Sequence, residues 1–436
     1  MNKGLLIVLC SILSYGLQAQ HSLSVQEAQY YGLENNRDIK NAHLDVKYAA
    51  KQMLETISVG LPQINAEAQW QNYLEVPTLL LPSTDPNEVY TEMQFGIPHT
   101  TSASITASQL IFSGSYIVGL KASKSFMEFA NMSKELTEVQ IKDSIATAYF
   151  NVLIAGENKD FLENIVIVHK DILAEIEARY INGFVEDLDV DRMALVLSKM
   201  EMQYANMQRQ SEIAEAYLKL IIGIPLNESL ALTDSLPDLL NSSVEFQLEE
   251  AQIQNRIEYQ MADMKVKLKE LDMRRYQTDK LPTVAAFAAF SASAMGNDFS
   301  AFDDNTHWYP SQLVGLKITL PIFDGLGGLA RIQKARLKYE QAQNDKNQIA
   351  ESLELAHLAA QSNYLNAISN YNHQQGNLVL SKKIYDKTLV KYREGLVSSL
   401  ELSQTGTEYL ESNSNFSQSI HNLLISNMNY QRSLGK

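Results

Sequence analysis

The chain is nearly free of cysteine, and its single cysteine, Cys10, lies in an apolar stretch near the N-terminus. Residues 1–20 combine an early lysine, a short apolar run and a small residue near the end, which is typical of a secretory signal peptide. We therefore expect residues 1–20 to be removed. The mature chain would then contain no cysteine, which excludes disulfide bonds, thiol nucleophiles and thiolate metal ligands.

Basic residues are outnumbered by acidic ones. The chain has 36 Lys and Arg against 51 Asp and Glu, so its formal net charge is −15. This balance disfavours nucleic acid and anionic lipid surfaces as partners. After residue 20 the sequence also lacks an apolar run of about 18 residues, so no membrane-spanning helix is predicted. An exported acidic chain of this kind can still be soluble, peripheral or part of a β-barrel.

Signatures of catalysis and of ligand binding are missing as well. The eight histidines show no spacing typical of metal ligands. The glycine-rich segment 325–328 is not followed by the Gly-Lys-Ser/Thr sequence of a phosphate-binding loop. We therefore predict that the protein is not an enzyme and that it has no cofactor, no metal site and no nucleotide site.

What the sequence does contain is an internal duplication. A Leu-Pro pair, a Phe-x-Gly turn, a Tyr-x-Asn triplet and a Tyr-x-x-Gly turn each occur twice in the same order. Their separations range from 211 (323 − 112) to 220 (281 − 61) residues. The two copies of each motif begin at Leu61 and Leu281, Phe112 and Phe323, Tyr149 and Tyr364, and Tyr180 and Tyr392. One such match can arise by chance, but four in the same order indicate two repeats.

Each repeat contains two segments that alternate between apolar and polar residues, which predicts strands with one dry and one wet face. Each segment has about 9–12 residues, the length that a tilted strand needs to cross a membrane. The segment at 281–293 is rich in Ala and Phe and alternates least clearly. The intervening stretches, rich in Pro, Gly, Asp and Asn, are predicted to be extracellular loops. The predicted strands are residues 61–73, 100–112, 281–293 and 310–323, and the predicted loops are residues 74–100 and 294–309.

Each repeat also contains a long stretch without proline, residues 114–180 and 325–392, in which apolar residues recur every three or four positions. This periodicity predicts helices with coiled-coil packing, about 66 residues or roughly 100 Å long. Shorter helices are predicted to lead into each strand pair, at 25–58 and 244–279, and to return after each long helix, at 187–222 and 398–431. The predicted division is a signal peptide at 1–20, a first repeat at 21–230, a linker at 231–243 and a second repeat at 244–436, with helical hairpins at 114–223 and 325–432.

If the four strands cross a membrane, one chain cannot form the channel alone. Every backbone donor and acceptor in a membrane must be satisfied, so the sheet must close into a barrel. The smallest natural barrels use about eight strands, so several chains have to share one barrel. The predicted fold is therefore mainly α-helical with a small β part. Its long antiparallel hairpins would form a helical barrel, and its four strands would contribute to a shared transmembrane barrel.

The order and spacing of these motifs resemble TolC-type outer membrane efflux proteins. The resemblance covers nearly the whole mature chain and includes both Phe-x-Gly turns, both Tyr-x-x-Gly tips and the segment 220–225 that closes the first repeat. It implies a trimer with a shared twelve-stranded barrel in the outer membrane of a Gram-negative bacterium and a helical tunnel in the periplasm. It further implies a passive exit duct of a tripartite efflux pump or type I secretion system, with a periplasmic adaptor and an inner-membrane pump as partners.

The resemblance also implies a gate at the hairpin tips, which are marked by Tyr180, Gly183, Gly395 and Val397 in this sequence. In the family, tyrosine–carboxylate and arginine–carboxylate links hold the tips, and acidic rings lie at the narrowest point. By position, these roles fall on Asp189, Tyr392 and Glu401. Val397 stands at the family's arginine position and Gln404 at its second ring acid. We therefore expect the tyrosine link and one acidic ring, but not the arginine link in its usual form.

Two alternatives remain open from the residues alone. The acids that follow Gly183 can belong to a gate, or they can simply favour the N-terminus of the next helix. The protein as a whole can also be an exported coiled-coil stalk or adhesin without a transport role, although a stalk does not need four amphipathic strands. A diffusion porin fits poorly with so much helix.

Overall fold

The computed structural model describes residues 21–82, 89–244, 249–299 and 303–435. The predicted signal peptide, residues 1–20, lies outside the described residues. Contacts divide the chain into two units. The helical unit comprises Met1–Val46, Asn131–Ala262 and Asp345–Lys436, and the strand unit comprises Lys47–Ala130 and Asp263–Asn344.

Helices dominate the described chain, in agreement with the predicted fold class. They are α1 (Val25–Asn35), α2 (Arg37–Ser58), α3 (Gly114–Ile181), α4 (Asp187–Ile222), α5 (Leu236–Val244), α6 (Ile257–Thr278), α7 (Gly327–Arg393) and α8 (Ser399–Ser433). The strands are β1 (His21–Leu23), β2 (Gln63–Asn72), β3 (Thr78–Pro82), β4 (Tyr90–Gln94), β5 (His99–Phe112), β6 (Leu230–Leu232), β7 (Thr283–Gly296) and β8 (Tyr309–Thr319). None of the helices in the described ranges is apolar enough over a sufficient length to cross a membrane.

Four strands of the strand unit form one antiparallel sheet in the order β2-β5-β7-β8. They lie in the four segments whose alternation predicted strands. β7, whose sequence alternates least clearly, pairs with β5 on one side and β8 on the other. Phe287 of β7 lies over Gly315 of β8, where an added Cβ would come within 2.7 Å of the phenyl ring. A large side chain on one strand therefore occupies the space that glycine leaves on its neighbour.

One face of this sheet is largely apolar, and the other is largely polar apart from the large side chains of Phe287 and Leu313. Because residues opposite each other in an antiparallel pair share a face, Ala66, Ile105 and Phe290 belong to one face and Glu67 and Ser104 to the other. The large exposed side chains of the apolar face include Ile64, Trp70, Ile105, Phe290, Val314, Leu316 and Ile318. A continuous exposed apolar face of this kind marks a surface that contacts a membrane or another protein.

The first predicted loop, residues 74–100, is not wholly irregular. Strands β3 and β4 within it form a separate antiparallel hairpin, in which Leu79 is opposite Met93. The prediction was wrong because Pro and Asp around the segment outweighed the short apolar run Thr78–Pro82. In the second predicted loop, residues 294–309, β7 continues to Gly296 and β8 begins at Tyr309.

The predicted strand at 310–323 ends early, at Thr319. Pro321 follows closely and has no backbone N–H with which to extend the pairing. The chain then passes through Gly325, with φ +65°, and Leu326, with φ +70°. Leu326 is the only non-glycine residue with positive φ among the described residues. The positive φ of Leu326 therefore strains the backbone just before α7. The start of α3 at Gly114 shows no such strain.

Neither predicted leading helix is continuous over the predicted range. The helix predicted at 25–58 is interrupted at Asn36, which has extended backbone with ψ 139°. Its side-chain carbonyl accepts the N–H groups of Asp38 at 2.7 Å and Ile39 at 3.2 Å, so it caps the start of α2. Of the helix predicted at 244–279, residues 245–248 lie outside the described residues, and in the described part from 249 onwards the helix begins at Ile257, after a 3₁₀ turn at Ile253–Asn255.

The predicted linker at 231–243 is an ordered part of the helical unit. β6 pairs in parallel with β1, so that Ser22 lies opposite Ala231. α5 follows, and its Leu236 and Leu240 are buried in the main hydrophobic core. The prediction underestimated this segment because Pro225 and Pro237 suggested only a connection, whereas Leu230–Leu232 pairs as β6 and Pro237 lies in the first turn of α5.

The largest buried cluster of the helical unit joins both repeats. The repeat partners Tyr149 and Tyr364 are both in this cluster and both fully buried. Arg432 near the end of α8 adds an ionic link, since it donates to Asp143 at 2.9 Å and to Glu258 at 3.3 Å. Burial raises the pKa of Asp143, and the Arg432 charge opposes that shift.

The hydroxyl of Tyr149 fixes the linker against the N-terminal strand. It donates to the Leu23 carbonyl at 3.0 Å and accepts the Asp234 N–H at 3.2 Å. Burial raises the pKa of this phenol to about 12, so it stays protonated at all physiological pH values. Both bonds lie within the helical unit.

Replacing Tyr149 with phenylalanine should lower the free energy of unfolding by about 1–3 kcal/mol, because the partly buried Asp234 N–H and Leu23 carbonyl then lose their partner. Tyr385→Phe is the matched control, since the buried Tyr385 hydroxyl has no hydrogen-bond partner among the described residues and its removal should not destabilise the protein. Circular dichroism melts of the purified protein in detergent compare the two. Equal destabilisation by both variants would contradict the role given to the Tyr149 hydroxyl.

Candidate functional site

The two hairpin tips turn through the same backbone conformation. Gly183, between α3 and α4, has φ +76°, and Gly395, between α7 and α8, has φ +75°. In each tip the glycine N–H donates to the carbonyl of the tyrosine three residues earlier, Tyr180 at 2.9 Å and Tyr392 at 3.0 Å. Left-handed glycine after a helix allows such a turn without a steric penalty. The duplication thus extends to the geometry of the tips.

The side chains of the two tips divide into exposed and packed residues. Tyr180, Phe184 and Leu396 are exposed. Val185 and Val397, two residues after each glycine, pack against the buried cluster beneath the tips. Val397, at the family's arginine position, therefore has a packing role and offers no charge.

The helices that leave the tips begin differently. Ser398 caps α8, since its hydroxyl accepts the Glu401 N–H at 3.3 Å. Glu186 holds the equivalent position before α4, with the same extended backbone, but its side chain makes no capping bond. The Asp187 carboxylate instead accepts the neighbouring Leu188 N–H at 2.8 Å. This contact favours a role of Asp187 at the helix N-terminus.

Asp189 links the two hairpins. The Ser399 hydroxyl, at the start of α8, donates to the Asp189 carboxylate and accepts a hydrogen bond from Arg192 at 2.8 Å. Arg192 also lies 3.7 Å from the Asp189 carboxylate. Ser399 is buried and the side chains of Asp189 and Arg192 are half-buried, so this link between α4 and α8 is partly shielded from water.

A second polar link joins the two long helices just before the tips. The Glu175 carboxylate on α3 forms ion pairs with Arg179 at 2.7 Å and with Arg393 of α7 at 3.3 Å. Arg179 also donates to the Arg393 carbonyl at 2.6 Å. An arginine–carboxylate link between the hairpins therefore exists, although it uses residues before the tips and not the position of Val397.

Tyr392 lies near Asp189 but does not bond to it. Its hydroxyl is buried and has no hydrogen-bond partner among the described residues. Burial raises the pKa of Tyr392, and the Asp189 charge raises it further. The expected tyrosine–carboxylate contact is thus electrostatic in the single chain, because Ser399 and Arg192 already occupy the carboxylate.

Glu401 lies exposed in the first turn of α8 and forms no ion pair with another described residue. Glu186, Asp187, Asp191 and Gln404 are likewise exposed. No group of three or more metal-ligating His, Cys, Asp or Glu side chains occurs in the described part of the chain. These acids can therefore act on an ion through their charge, and do so together only if several chains bring their tips to one axis.

The cluster beneath the tips, which we call the tip cluster, contains several aromatic and polar groups. Its buried members are Ile165, Val166, Ile172, Ile176, Met193, Leu197, Met200, Tyr385, Tyr392, Leu402 and Tyr409. The ring of His169 stacks on Tyr385 at a centroid distance of 6.0 Å, and Tyr385 stacks on Tyr409 at 5.6 Å. Gly406 faces the same rings, since an added Cβ would lie 3.5 Å from Tyr385. Three helices, α3, α7 and α8, meet at this stack.

His169 is buried without full hydrogen bonding. Its Nδ1 bonds to the Ile165 carbonyl at 2.9 Å, and its Nε2 has no partner. Burial lowers the pKa of this imidazole, while the bond to Ile165 opposes the shift. The neutral form is therefore the one that fits the folded protein.

Several functional candidates were not predicted from the sequence. Glu175 with Arg179 and Asp189 with Arg192 are charge pairs at helical spacing, so a search for such pairs near the tips could have found them. Ser399 offers no such signal, because its role depends on contact with the other hairpin.

Ser399→Ala should loosen the contact between α4 and α8. Loss of the hydroxyl removes one bond to a carboxylate and one from an arginine, so backbone amide exchange in residues 187–195 should rise about tenfold. Hydrogen–deuterium exchange with mass spectrometry measures this. Ser403→Ala on the same helix is the control, and equal exchange in both variants would refute the link.

The stability of the protein should fall as the pH decreases from 7.5 to 5.0, in part through His169. The unfolded chain takes up a proton near the ordinary histidine pKa of about 6.5, whereas the buried imidazole resists it. His169→Gln should therefore flatten the pH dependence of the melting temperature. The exposed His43→Gln is the control, and an unchanged slope in His169→Gln would argue against this assignment.

Comparison with known proteins identifies the fold. The model of the outer membrane efflux protein family matches residues 30–224 and again residues 248–436. The comparison with curated protein sequences gives no match. The family consists of transport ducts and not of enzymes, which confirms the prediction that the chain has no catalytic role.

Solved channel structures share the fold at low sequence identity. CusC, described for its transmembrane channel formation, is 17% identical with a TM-score of 0.74, over 94% of this chain and 92% of that chain. VceC from Vibrio cholerae is 15% identical with a TM-score of 0.71, over 94% and 96%. The CmeC outer membrane channel from Campylobacter jejuni is 18% identical with a TM-score of 0.73, over 94% and 85%. The chain therefore belongs to the outer membrane efflux protein family, and it is an outer-membrane efflux channel of a Gram-negative bacterium.

Proposed function

We propose that the chain is one of three subunits of an exit duct that serves a tripartite efflux pump or a type I secretion system. The strand unit would cross the outer membrane and the helical unit would lie in the periplasm. The observation that carries this proposal is the sheet of the strand unit, which has one exposed apolar face and two edges without a strand partner in the described chain.

The two edges of the sheet are compatible with each other. β2 and β8 run antiparallel, because three antiparallel pairings separate them. A second copy can therefore place its β2 beside β8 and continue the same antiparallel order, with the apolar face remaining on one side. Closure of a ring in this way would satisfy both edges, as a membrane sheet requires.

The number of subunits comes from the family. Four strands from each of three chains would give a barrel of twelve strands, whereas one chain has too few strands to close. Family members form trimers, and this supports three over any other number.

The repeats would supply the tunnel. We propose the boundaries 21–230 and 244–436 for the two repeats, after a signal peptide at 1–20, and the two family-model matches at 30–224 and 248–436 support them. Each repeat would contribute one helical hairpin to the periplasmic wall, so that three chains provide six hairpins.

The hairpin tips would form the gate. In a trimer each tip residue occurs three times around one axis, so the exposed Glu401 would form a ring of three carboxylates. Such a ring favours cations. Asp189 would hold the tips together within each chain through Ser399 and Arg192, and Tyr392 would support them by packing in the tip cluster.

Transport would depend on partners. The sequence contains no nucleotide-binding motif, so energy would come from an inner-membrane pump, joined to the duct by a periplasmic adaptor. The exposed tips, with Phe184 and Leu396, are the surface of the chain that such an adaptor would contact.

The oligomer and its conductance test this proposal. The protein extracted from outer membranes in detergent should have the mass of three chains by light scattering and should form ion-conducting channels in planar bilayers. In vivo crosslinking should recover a periplasmic and an inner-membrane protein with it. A water-soluble monomer without conductance would refute the duct and favour an exported stalk.

Glu401→Gln should reduce the cation preference of the channel, because three carboxylates are lost from the ring at once. The reversal potential in a salt gradient across a planar bilayer measures this preference. Glu408→Gln, which lies two turns further along α8, is the matched control. Unchanged selectivity in Glu401→Gln would remove Glu401 from the gate.

A further inference from the structure

The four-stranded sheet carries only two formal charges within its described strands. Glu67 is the sole charged residue of β2 and Lys317 that of β8, while β5 and β7 have no Asp, Glu, Lys or Arg. Both side chains are exposed and both belong to the polar face. The sheet therefore has one negative charge on one edge strand and one positive charge on the other edge strand.

These two charges cannot meet within one chain. The row of opposite residues that starts at Glu67 passes Ser104 and Ser291 and reaches Ser311 on β8. Lys317 lies six residues beyond Ser311 (317 − 311) along that strand. At about 3.4 Å per residue and about 4.8 Å between strands, they are roughly 20 Å apart along the strands and three strands apart across the sheet.

We propose that Lys317 of each chain pairs with Glu67 of the next chain across the seam between β8 and β2, and that this pair sets the register of the barrel. The inference rests on the proposed shared barrel and adds to it the residues that determine how the chains align. A slip by one residue would turn the apolar face of a strand inwards, so register at the seam must be specified.

The hydrogen-bond pattern shows on which side the next chain lies. The Tyr73 N–H donates to the Pro98 carbonyl at 2.8 Å, one step beyond the Asn72–His99 pair. Odd-numbered residues of β2 therefore form the hydrogen-bonded pairs with β5, and the apolar even-numbered ones form the other pairs. For L-amino acids, this places β5 to the left of β2 when the apolar face is viewed with β2 running upwards.

The twist of the sheet then gives the direction of the stagger. Right-handed strand twist makes the strands of a barrel rise to the right as seen from outside, so a row of opposite residues rises towards the left. The row through Lys317 passes Ala285 and Leu110, and in register would reach Leu61 of its own chain. Continued leftwards, it meets the β2 of the next chain at a residue numbered above 61.

The size of the stagger brings Glu67 to this position. Only an even number of residues per seam keeps the faces aligned. A stagger of six residues at each of three seams adds up to 18 residues around a barrel of twelve strands. This total stagger corresponds to a strand tilt of about 47°, close to the ~45° of membrane strands. Six residues above 61 is Glu67. A stagger of four would tilt the strands by about 35° and place Asn65 opposite Lys317, with Glu67 on the diagonal.

The pair would also have favourable local geometry. The backbone N–H and C=O of Glu67 point towards β5. On its other side, towards the next chain, Glu67 would therefore belong to a non-hydrogen-bonded pair, in which opposite side chains approach most closely. On the polar face, three such pairs would line the inside of the barrel, one at each seam.

Disulfide crosslinking tests the pairing. The mature chain is expected to lack cysteine, so Glu67→Cys combined with Lys317→Cys introduces the only two thiols. Opposite residues on neighbouring strands suit a disulfide in Cα separation. On mild oxidation in native outer membranes, we expect covalent trimers on non-reducing gels. Asn65→Cys and Gln69→Cys, each combined with Lys317→Cys, are the matched controls and should crosslink at least fivefold more slowly.

The outcomes separate this inference from the proposed function. Faster crosslinking of residue 65 or 69 would overturn the proposed pair but retain the shared barrel. Absence of crosslinks from all three combinations would show that β8 and β2 do not meet, and both the pair and the barrel would fail.

Charge reversal provides an independent measurement. Glu67→Lys and Lys317→Glu should each lower the temperature at which the trimer dissociates in detergent, because each places like charges across the seam. The double variant restores opposite charges and should recover most of the loss. If the dissociation temperature of the double variant fell by the sum of the decreases in the two single variants, the pairing would be contradicted.

Discussion

The unpaired edges of the four-stranded sheet are the constraint on which the rest of the structure depends. β2 and β8 leave their outer backbone groups without a strand partner in the described chain, and the sheet also exposes a continuous apolar face. In water such edges invite aggregation, and in a membrane they are not tolerated. In the proposed shared barrel, copies of the chain would cover these edges, and the antiparallel order of the strands would allow the copies to join edge to edge.

The two repeats share a backbone conformation at their hairpin tips but differ in the side chains near those tips. The tip glycines, the tip hydrogen bonds and the backbone conformation at the two starts of the returning helices are nearly the same in both repeats. The side chains then diverge where the hairpins meet. Asp189 of one repeat is held by Ser399 of the other, whereas Glu401, at the matching position of the second repeat, stays exposed. One carboxylate therefore fastens the hairpins and the other remains available to solvent.

The sequence was sufficient for those features that depend on local patterns. Alternation located the four strands of the sheet, and the proline-free apolar periodicity located α3 and α7. It failed where a tertiary contact decides the outcome. Asn36 breaks a helix by capping the next one while its amide donates to the Ile221 carbonyl, and the β3–β4 hairpin lies in a segment whose composition suggests a loop.

The candidate site was predictable to a similar extent. The tip glycines follow from a motif that occurs twice, and the acids near them are evident in the sequence. The partners of those acids are not evident, because Arg393 of α7 and Ser399 of α8 are more than 200 residues away in sequence from the carboxylates that they contact. Position in a family also does not ensure a contact, since the Tyr392 hydroxyl remains unbonded although Asp189 is near enough to affect it.

The distribution of unpaired polar atoms distinguishes the two clusters of the helical unit. In the main core, the Tyr149 hydroxyl has partners on both sides. At the tips, the hydroxyls of Tyr385 and Tyr392 and the Nε2 of His169 are all buried without partners among the described residues. Each such atom costs about 1–3 kcal/mol relative to its hydrated state. The unpaired polar atoms therefore lower the stability of the tip packing, and hydration of these atoms would remove that cost. The Tyr149 hydroxyl in the main core carries no such cost, because it is hydrogen-bonded. If the tips form the proposed gate, this difference would favour opening there, because the tip cluster would lose less on hydration than the main core.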